Sequence, residues 1–174
     1  MRSGRRLARG LALLGVALAG GLVWVRLLAG GPVLPGIPGG WIRGEPTREL
    51  PADWSFANRE PYLLVESGAG TFPYSARVWF IAHRGRLHLL LPSFFGDGLQ
   101  RLLDADPRLR VGVDGRVYEQ LAVRVRDEAD LGALAAPILR RQFAIEIGDR
   151  VRALPPGGTA AGVELAIYRL EDPR

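Results

Sequence analysis

Cysteine and lysine are both absent from this chain of 174 residues, and histidine occurs only twice. Without cysteine the protein has no disulfide, no lipoprotein anchor, no thiol catalysis and no thiolate metal site. All 23 basic residues are arginines. Two imidazoles, with no carboxylate beside them in sequence, do not by themselves make a metal site. These absences exclude several enzyme classes.

The sequence also lacks the signature motifs of common enzymes. No Walker, Rossmann or zinc-ligand pattern occurs, and Ser93 lacks the glycines that surround the nucleophile of a hydrolase. Glu66 and Glu119 lie inside apolar segments, and no second carboxylate is paired with either. We interpret each as a salt-bridged or rim carboxylate rather than a catalytic acid.

Excess positive charge is confined to the amino terminus. Five arginines precede Gly31 with no acidic residue among them, and the remaining 18 balance the 18 acidic residues. The five are Arg2, Arg5, Arg6, Arg9 and Arg26. The high pI therefore reports a topological signal rather than a binding face for nucleic acid, and no nucleic-acid partner is expected.

An apolar run from Leu11 to Val25 follows the first arginines. Extended to 7–28, with Arg26 reaching the headgroups, it has the roughly 20 residues that a membrane-spanning helix needs. The arginines predict a single-pass transmembrane anchor with its amino terminus in the cytoplasm and the domain outside. A cleaved signal peptide is the alternative, because residues 17–19 fit a cleavage pattern, and it also exports the domain.

The composition divides the chain into three regions. Residues 1–28 are predicted to be the basic tip and transmembrane anchor, and residues 62–174 the folded domain. Residues 29–61 are a tether and leading loop, because their glycines and prolines oppose long helices and central strands. Their apolar residues are costly to leave in water and are expected to pack on the domain or at the membrane: Trp41, Ile42, Trp54 and Phe56.

The folded domain is predicted to be mainly β with α, an α+β class. Strands are predicted at 62–66, 74–82, 87–91, 109–113, 116–126 and 163–170. Asp114-Gly115 is the strongest hairpin signal. A short helix starts at Asp97 or Gly98 and stops before Pro107, and a longer one runs from Asp127 or Asp130 to about Ile147. Strand 116–126 alternates, so one face is expected in the core and the other is wetter.

Particular segments carry a family resemblance: Tyr74-Ser-Ala-Arg-Val-Trp-Phe80, His83-Arg-Gly-Arg86, Leu87-His-Leu-Leu-Leu-Pro-Ser93, Leu99-Gln-Arg-Leu-Leu-Asp-Ala-Asp-Pro107 and Leu109-Arg-Val-Gly-Val113. Over about residues 50–172 the chain resembles the pyridoxamine-phosphate-oxidase-like, flavin-nucleotide-binding split β-barrel superfamily. The resemblance implies a barrel of about six antiparallel strands. It implies no single activity, since members include flavin mononucleotide (FMN) enzymes, deazaflavin-dependent reductases, haem-degrading proteins and proteins without a known ligand.

Carried over residue by residue, the resemblance implies a flavin-phosphate site of Arg77, Ser93 and Arg101. Guanidinium groups, a hydroxyl and the N–H groups at a helix start suit a phosphate. The chain departs from the family pattern at residues 94–96, Phe-Phe-Gly, where cofactor-binding members usually carry more polar residues, and in having no lysine. If the protein is an enzyme, the cofactor that the resemblance implies is FMN or a deazaflavin.

His83 and His88 flank the turn between the two long strands. A loop of two or four residues would place both imidazoles on one sheet face, near enough to share a metal or a substrate. A loop of three residues would separate them. Solvated strand-end histidines are the simpler interpretation.

Three functions fit this sequence. The favoured one is a membrane-anchored binding or interaction module without retained catalysis, expected as a homodimer because barrels of this superfamily often dimerise. The second is a flavin- or deazaflavin-dependent oxidoreductase, which convergence of Arg77, Ser93 and Arg101 on one pocket would favour. The third is an envelope structural protein whose Trp41 and Trp54 region rests on the bilayer.

Overall fold

A computed structural model describes residues 12–21, 23–24, 32, 39–68, 74–92, 97–143, 159–160 and 163–173. The strands are β1 (Glu45–Thr47), β2 (Leu63–Ser67), β3 (Tyr74–His83), β4 (Arg86–Pro92), β5 (Arg108–Val113), β6 (Arg116–Arg124), β7 (Thr159–Ala160) and β8 (Val163–Glu171). A 3-10 helix spans Ser55–Arg59, and the α-helices are α1 (Gly98–Ala105) and α2 (Glu128–Phe143).

Six strands close into an antiparallel barrel in the order β6-β5-β2-β3-β4-β8, with β8 pairing back to β6. Each pairing around this ring is antiparallel. Outside the ring, β1 pairs in parallel with the start of β6, and β7 pairs with β8. The α+β split barrel predicted from the sequence is confirmed.

The barrel interior holds the main hydrophobic core. Successive side chains of a strand point to opposite faces, so β3 sends Val78, Phe80 and Ala82 into this core. Leu99 and Leu103 of α1 pack into the same core. The short helix therefore lies against the contents of the barrel, and Pro107 follows its end as the sequence predicts.

The side chains of β6 alternate between its two faces as expected, but the face with more aliphatic residues points away from the barrel interior. Tyr118 and Ala122 belong to the interior core, whereas Glu119 and Val123 on the other face are exposed. An aromatic residue and a small residue fill the barrel there, because the interior volume decides which face turns inward.

Helix α2 packs outside the barrel, over β3, β4 and β8. A second apolar cluster joins the helix to the outward side chains of these strands. The helix contributes Leu134, Ala135 and Ile138, and the strands contribute Leu90, Leu165 and Ile167, with Trp79 and Ile81 packed against the cluster. Pro137 lies inside the helix. The predicted continuation to Ile147 falls outside the described residues.

The part of the leading loop from residue 39 onward lies on the barrel. Trp54 is buried in the main core, and Phe56 packs against it. Ile42 is buried as well, and its N–H donates to the Glu66 carboxylate. Packing on the domain is therefore confirmed for these three side chains, while Trp41 stays 52% exposed.

Residues 12–21 and 23–24 are helical, and apolar side chains there, such as Leu13 and Val16, are exposed. In the ranges that the structure describes, no helix combines the length and the apolar character needed to cross a membrane. The transmembrane anchor and its orientation stay predictions.

Candidate functional site

The hairpin between β3 and β4 places both histidines on the outer face of the barrel. Its loop has two residues, Arg84 and Gly85, because His83 pairs with Arg86. Arg84 and Gly85 have φ of 52° and 76°, the left-handed conformation that tight hairpin turns adopt. The two-residue alternative therefore holds. The rings of His83 and His88 lie 6.2 Å apart, centroid to centroid.

His88 occupies a central place in this outer face. In the strand pairing it lies opposite Ile81 of β3 on one side and opposite Arg169 of β8 on the other. Leu90, the next outward residue of β4, lies in the apolar cluster beneath α2. His88 thus marks the border between that covered cluster and the polar end of the hairpin.

A cleft of about 200 Å³ lies at this border, between the strands and the first half of α2. Its polar lining consists of His83, Arg84, Arg86, His88, Asp130 and Arg169. Pockets for drug-sized ligands measure about 300–1,000 Å³. The cleft therefore fits a small ligand or one end of a larger one.

The His88 ring has one nitrogen engaged by the chain itself. Nδ1 lies 3.2 Å from the carbonyl oxygen of Arg86. A carbonyl can only accept, so this hydrogen bond requires a proton on Nδ1, and the neutral ring then keeps its lone pair on Nε2. His88 lines the cleft while only 6% exposed, and Nε2 is the ring nitrogen that no hydrogen bond among the described residues engages.

Burial lowers the pKa of His88 below the ordinary value of 6.5, because the charged ring loses solvation. The hydrogen bond to the Arg86 carbonyl opposes this change, and so does the carboxylate of Asp130. The positive charge of Arg169 lowers the pKa further, and His83 acts in the same direction. His88 is therefore neutral at pH 7.

The lowered pKa predicts a pH-dependent stability. A depressed histidine pKa contributes stability that is present above the unfolded pKa of about 6.5 and is lost as the pH falls through the folded pKa. We expect the free energy of unfolding, measured by urea titration, to decrease between about pH 7.5 and 5.5. His88→Gln should remove most of this slope, and His83→Gln should retain it. An unchanged slope in His88→Gln would contradict the assignment.

Guanidinium groups dominate the charge around the cleft. Within the part of the chain that the structure describes, no carboxylate pairs with Arg84 or Arg86. Arg169 is bound by Glu171, whose Oε1 lies 2.9 Å from its Nε. Among the described residues of the lining, Asp130 is the one carboxylate.

Arg77 and Arg101 from the implied flavin-phosphate site have separate partners. The guanidinium of Arg77 lies 4.7 Å from the centre of the Tyr62 ring. Arg101 forms an ion pair with Asp97 one helical turn earlier, at 3.0 Å. Ser93 lies outside the described residues, so a site made by all three residues stays a prediction.

The two carboxylates considered from the sequence differ in their burial and in their partners. Glu66 is buried and binds Arg110 at 2.9 Å as well as the Ile42 N–H, so it is salt-bridged as interpreted. Glu119 is exposed. Over the described ranges, no three His, Asp or Glu side chains form a group that could hold a metal ion.

Sequence reasoning identified the histidine pair but missed two of its neighbours. From the sequence, Asp130 was considered only as a possible helix cap. Arg169 was an arginine of the last strand to which no role was assigned. The cap that the structure shows is Asp127, whose carboxylate accepts the N–H groups of Ala129 and Asp130. No local signal marks Arg169, because the pairing of β8 with β4 brings it to His88.

No protein-family model matches the chain, and no curated protein matches it either. Solved structures with some likeness include a protein from Listeria innocua assigned as a pyridoxamine 5′-phosphate oxidase, at 15% identity and a TM-score of 0.47, covering 68% of this chain and 88% of that one. An F420 reductase has 17% identity and a TM-score of 0.45, covering 70% and 94%. A NimC/NimA family protein from Clostridium acetobutylicum has 10% identity and a TM-score of 0.40, covering 65% and 73%.

The closed ring of six antiparallel strands, with α1 packed into its core, defines the class of fold. It is a split β-barrel, the fold that the sequence resemblance implies.

Proposed function

We propose that this protein is a membrane-tethered split-barrel module that binds a small ligand in the cleft beside His88, without retained flavin catalysis. The observation that carries the proposal is the cleft itself. A buried imidazole, with one ring nitrogen held by the chain and the other left for a ligand, lies among guanidinium groups. Such convergent polar groups in a concave site are typical of ligand binding.

Two features support binding without a flavin. Arg77 is stacked over Tyr62, and Arg101 is paired with Asp97, so each guanidinium already has a partner within the chain. The cleft of about 200 Å³ is also smaller than the pockets that enclose ligands of drug size, about 300 Å³ or more.

The proposed tether rests on the amino-terminal sequence and its helical residues. Leu13 and Leu18 in this segment are 72% and 66% exposed. A bilayer would remove these side chains from water, and the preceding arginines favour an anchor whose amino terminus stays in the cytoplasm. The domain would then lie outside the membrane, as a homodimer in our proposal.

A flavin- or deazaflavin-dependent oxidoreductase is the second candidate, because Arg77 and Arg101 are both exposed and remain able to exchange their present partners for a phosphate. The envelope structural alternative has less support, since Trp54 is buried in the barrel core and only Trp41 of the two tryptophans is exposed.

The test is an absorbance spectrum of the full-length chain in detergent, followed by titration with FMN, deazaflavin and haem. We expect a colourless protein whose addition leaves each spectrum unchanged. A bound chromophore that disappears in the double variant Arg77→Ala, Arg101→Ala would overturn the proposal in favour of the oxidoreductase. The matched control is Arg59→Ala with Arg108→Ala, which removes two exposed arginines elsewhere.

The tether is tested separately by fractionating cells that express the full chain and washing the membranes at alkaline pH. We expect the protein in the washed membrane pellet, and light scattering of the extracted protein should give the mass of a dimer. Recovery of a shortened chain in the soluble fraction would favour the cleaved signal peptide.

A further inference from the structure

The cleft beside His88 has more cationic groups than anionic ones. Of the described residues, Arg84, Arg86 and Arg169 line it together with the carboxylate of Asp130, and Arg169 is already paired with Glu171. Arg84 and Arg86 lie at the exposed hairpin end, and in the described ranges neither forms a salt bridge, although the Asp53 carboxylate lies close to Gly85 between them. The charge of the lining therefore favours an anion over a cation.

We propose that the ligand of this cleft is an anion that carries a phosphate or sulfate group, an inference that rests on the proposed binding function. Guanidinium forks bind tetrahedral oxyanions through two parallel N–H bonds. A cleft of about 200 Å³ has room for such a group and a short part of the molecule that bears it.

His88 gives this site a response to pH. The groups facing its ring are His83 on β3, the Arg86 carbonyl on β4, Arg169 on β8 and Asp130 on α2. An anion bound at Nε2 favours the protonated ring, which can donate a hydrogen bond to it. Binding is therefore coupled to proton uptake, and the affinity increases as the pH falls.

The chain offers a direct readout, because its only histidines are the two beside the cleft. The imidazole NMR resonances of the full-length protein in dodecyl maltoside are followed while sodium sulfate is added. Sodium chloride at equal ionic strength is the reference. Sulfate keeps its double negative charge over the pH range of the titrations. Any change of sulfate affinity with pH therefore comes from the protein. We expect sulfate to shift the His88 resonances and chloride to leave them in place.

Two variants and a control test whether the cleft binds an anion. Arg84→Gln with Arg86→Gln should weaken sulfate binding at least about tenfold, the effect of lost charge-assisted hydrogen bonds. Asp130→Asn should strengthen it about threefold, because a like charge is removed. The control is Arg108→Gln, which removes an exposed arginine at the start of β5 that pairs with Asp106, and it should leave binding unchanged. Sulfate binding that stays unchanged in the arginine double variant, or that is weakened by Asp130→Asn, would overturn the proposal.

The same resonances distinguish the source of the phosphate group. Shifts with sulfate in detergent support a soluble anion. Shifts that occur only in nanodiscs containing phosphatidylglycerol support a lipid headgroup. If neither addition moves His88 while the flavin titration stays negative, the anion proposal fails and the binding module stands. A retained chromophore would instead overturn the proposed function, whatever sulfate does.

Discussion

Replacing Trp54 with alanine is expected to lower the free energy of unfolding by about 3–5 kcal/mol. The indole is only 5% exposed and lies within the main core of the barrel. Its ring meets Tyr118 edge-on at 4.9 Å and stacks against Phe56 at 5.8 Å, centroid to centroid. The change removes this burial and leaves a cavity at the contact between the leading loop and β6.

Urea unfolding followed by far-ultraviolet circular dichroism measures the effect without depending on tryptophan fluorescence. Trp41→Ala is the matched control, since Trp41 is 52% exposed, and it should cost less than about 1 kcal/mol. Equal losses in the two variants would contradict the packing of Trp54 in the core. Because small domains are stable by only about 5–15 kcal/mol, the Trp54 variant should be unfolded in part at modest urea concentrations.

The second large effect is expected at Glu66. Glu66→Ala removes the acceptor of the buried Ile42 N–H and the partner of Arg110. The Glu66 side chain is 5% exposed and that of Arg110 is 33% exposed, so Arg110 regains some solvation when it loses the carboxylate. We expect a loss of about 2–3 kcal/mol, below the range for a fully buried pair.

Glu66 also fixes the path of the chain into the barrel, because Ile42 packs closely over Gly112 of β5. Release of Ile42 should expose the segment that follows it, and trypsin should cleave faster after the exposed Arg48. Glu66→Gln keeps an oxygen for the Ile42 N–H and should lose less stability than Glu66→Ala. The control is Asp97→Ala, which breaks an exposed ion pair with Arg101 and should cost less than about 0.5 kcal/mol. A control loss as large as that of Glu66→Ala would refute this role.

These predictions bear on the functional alternatives. If Trp54 is a core residue, the leading loop is part of the folded domain, and any contact with a membrane falls to the amino-terminal segment and Trp41. The cleft beside His88 lies on the outer face of the barrel under α2. The variants at Trp54 and Glu66 act on the interior and on the loop, so they separate stability from binding.

The local features of this protein were readable from its sequence. Asp114-Gly115 predicted a hairpin, and both residues adopt positive φ, at 51° and 73°. The apolar strands, the short helix before Pro107 and the closing strand lie where their patterns placed them. These features depend on turn chemistry and on alternation along a few residues, which the sequence alone determines.

The tertiary structure decided everything that depends on partners distant in the chain. The outward face of β6 is the more aliphatic one, because the closed barrel has room for Tyr118 and Ala122 inside. The cleft needs β8 paired against β4 to bring Arg169 to His88, and α2 lying on that side to supply Asp130. Strand register and helix packing arise only when the whole core closes, so no local pattern could bring these charges to the histidine pair.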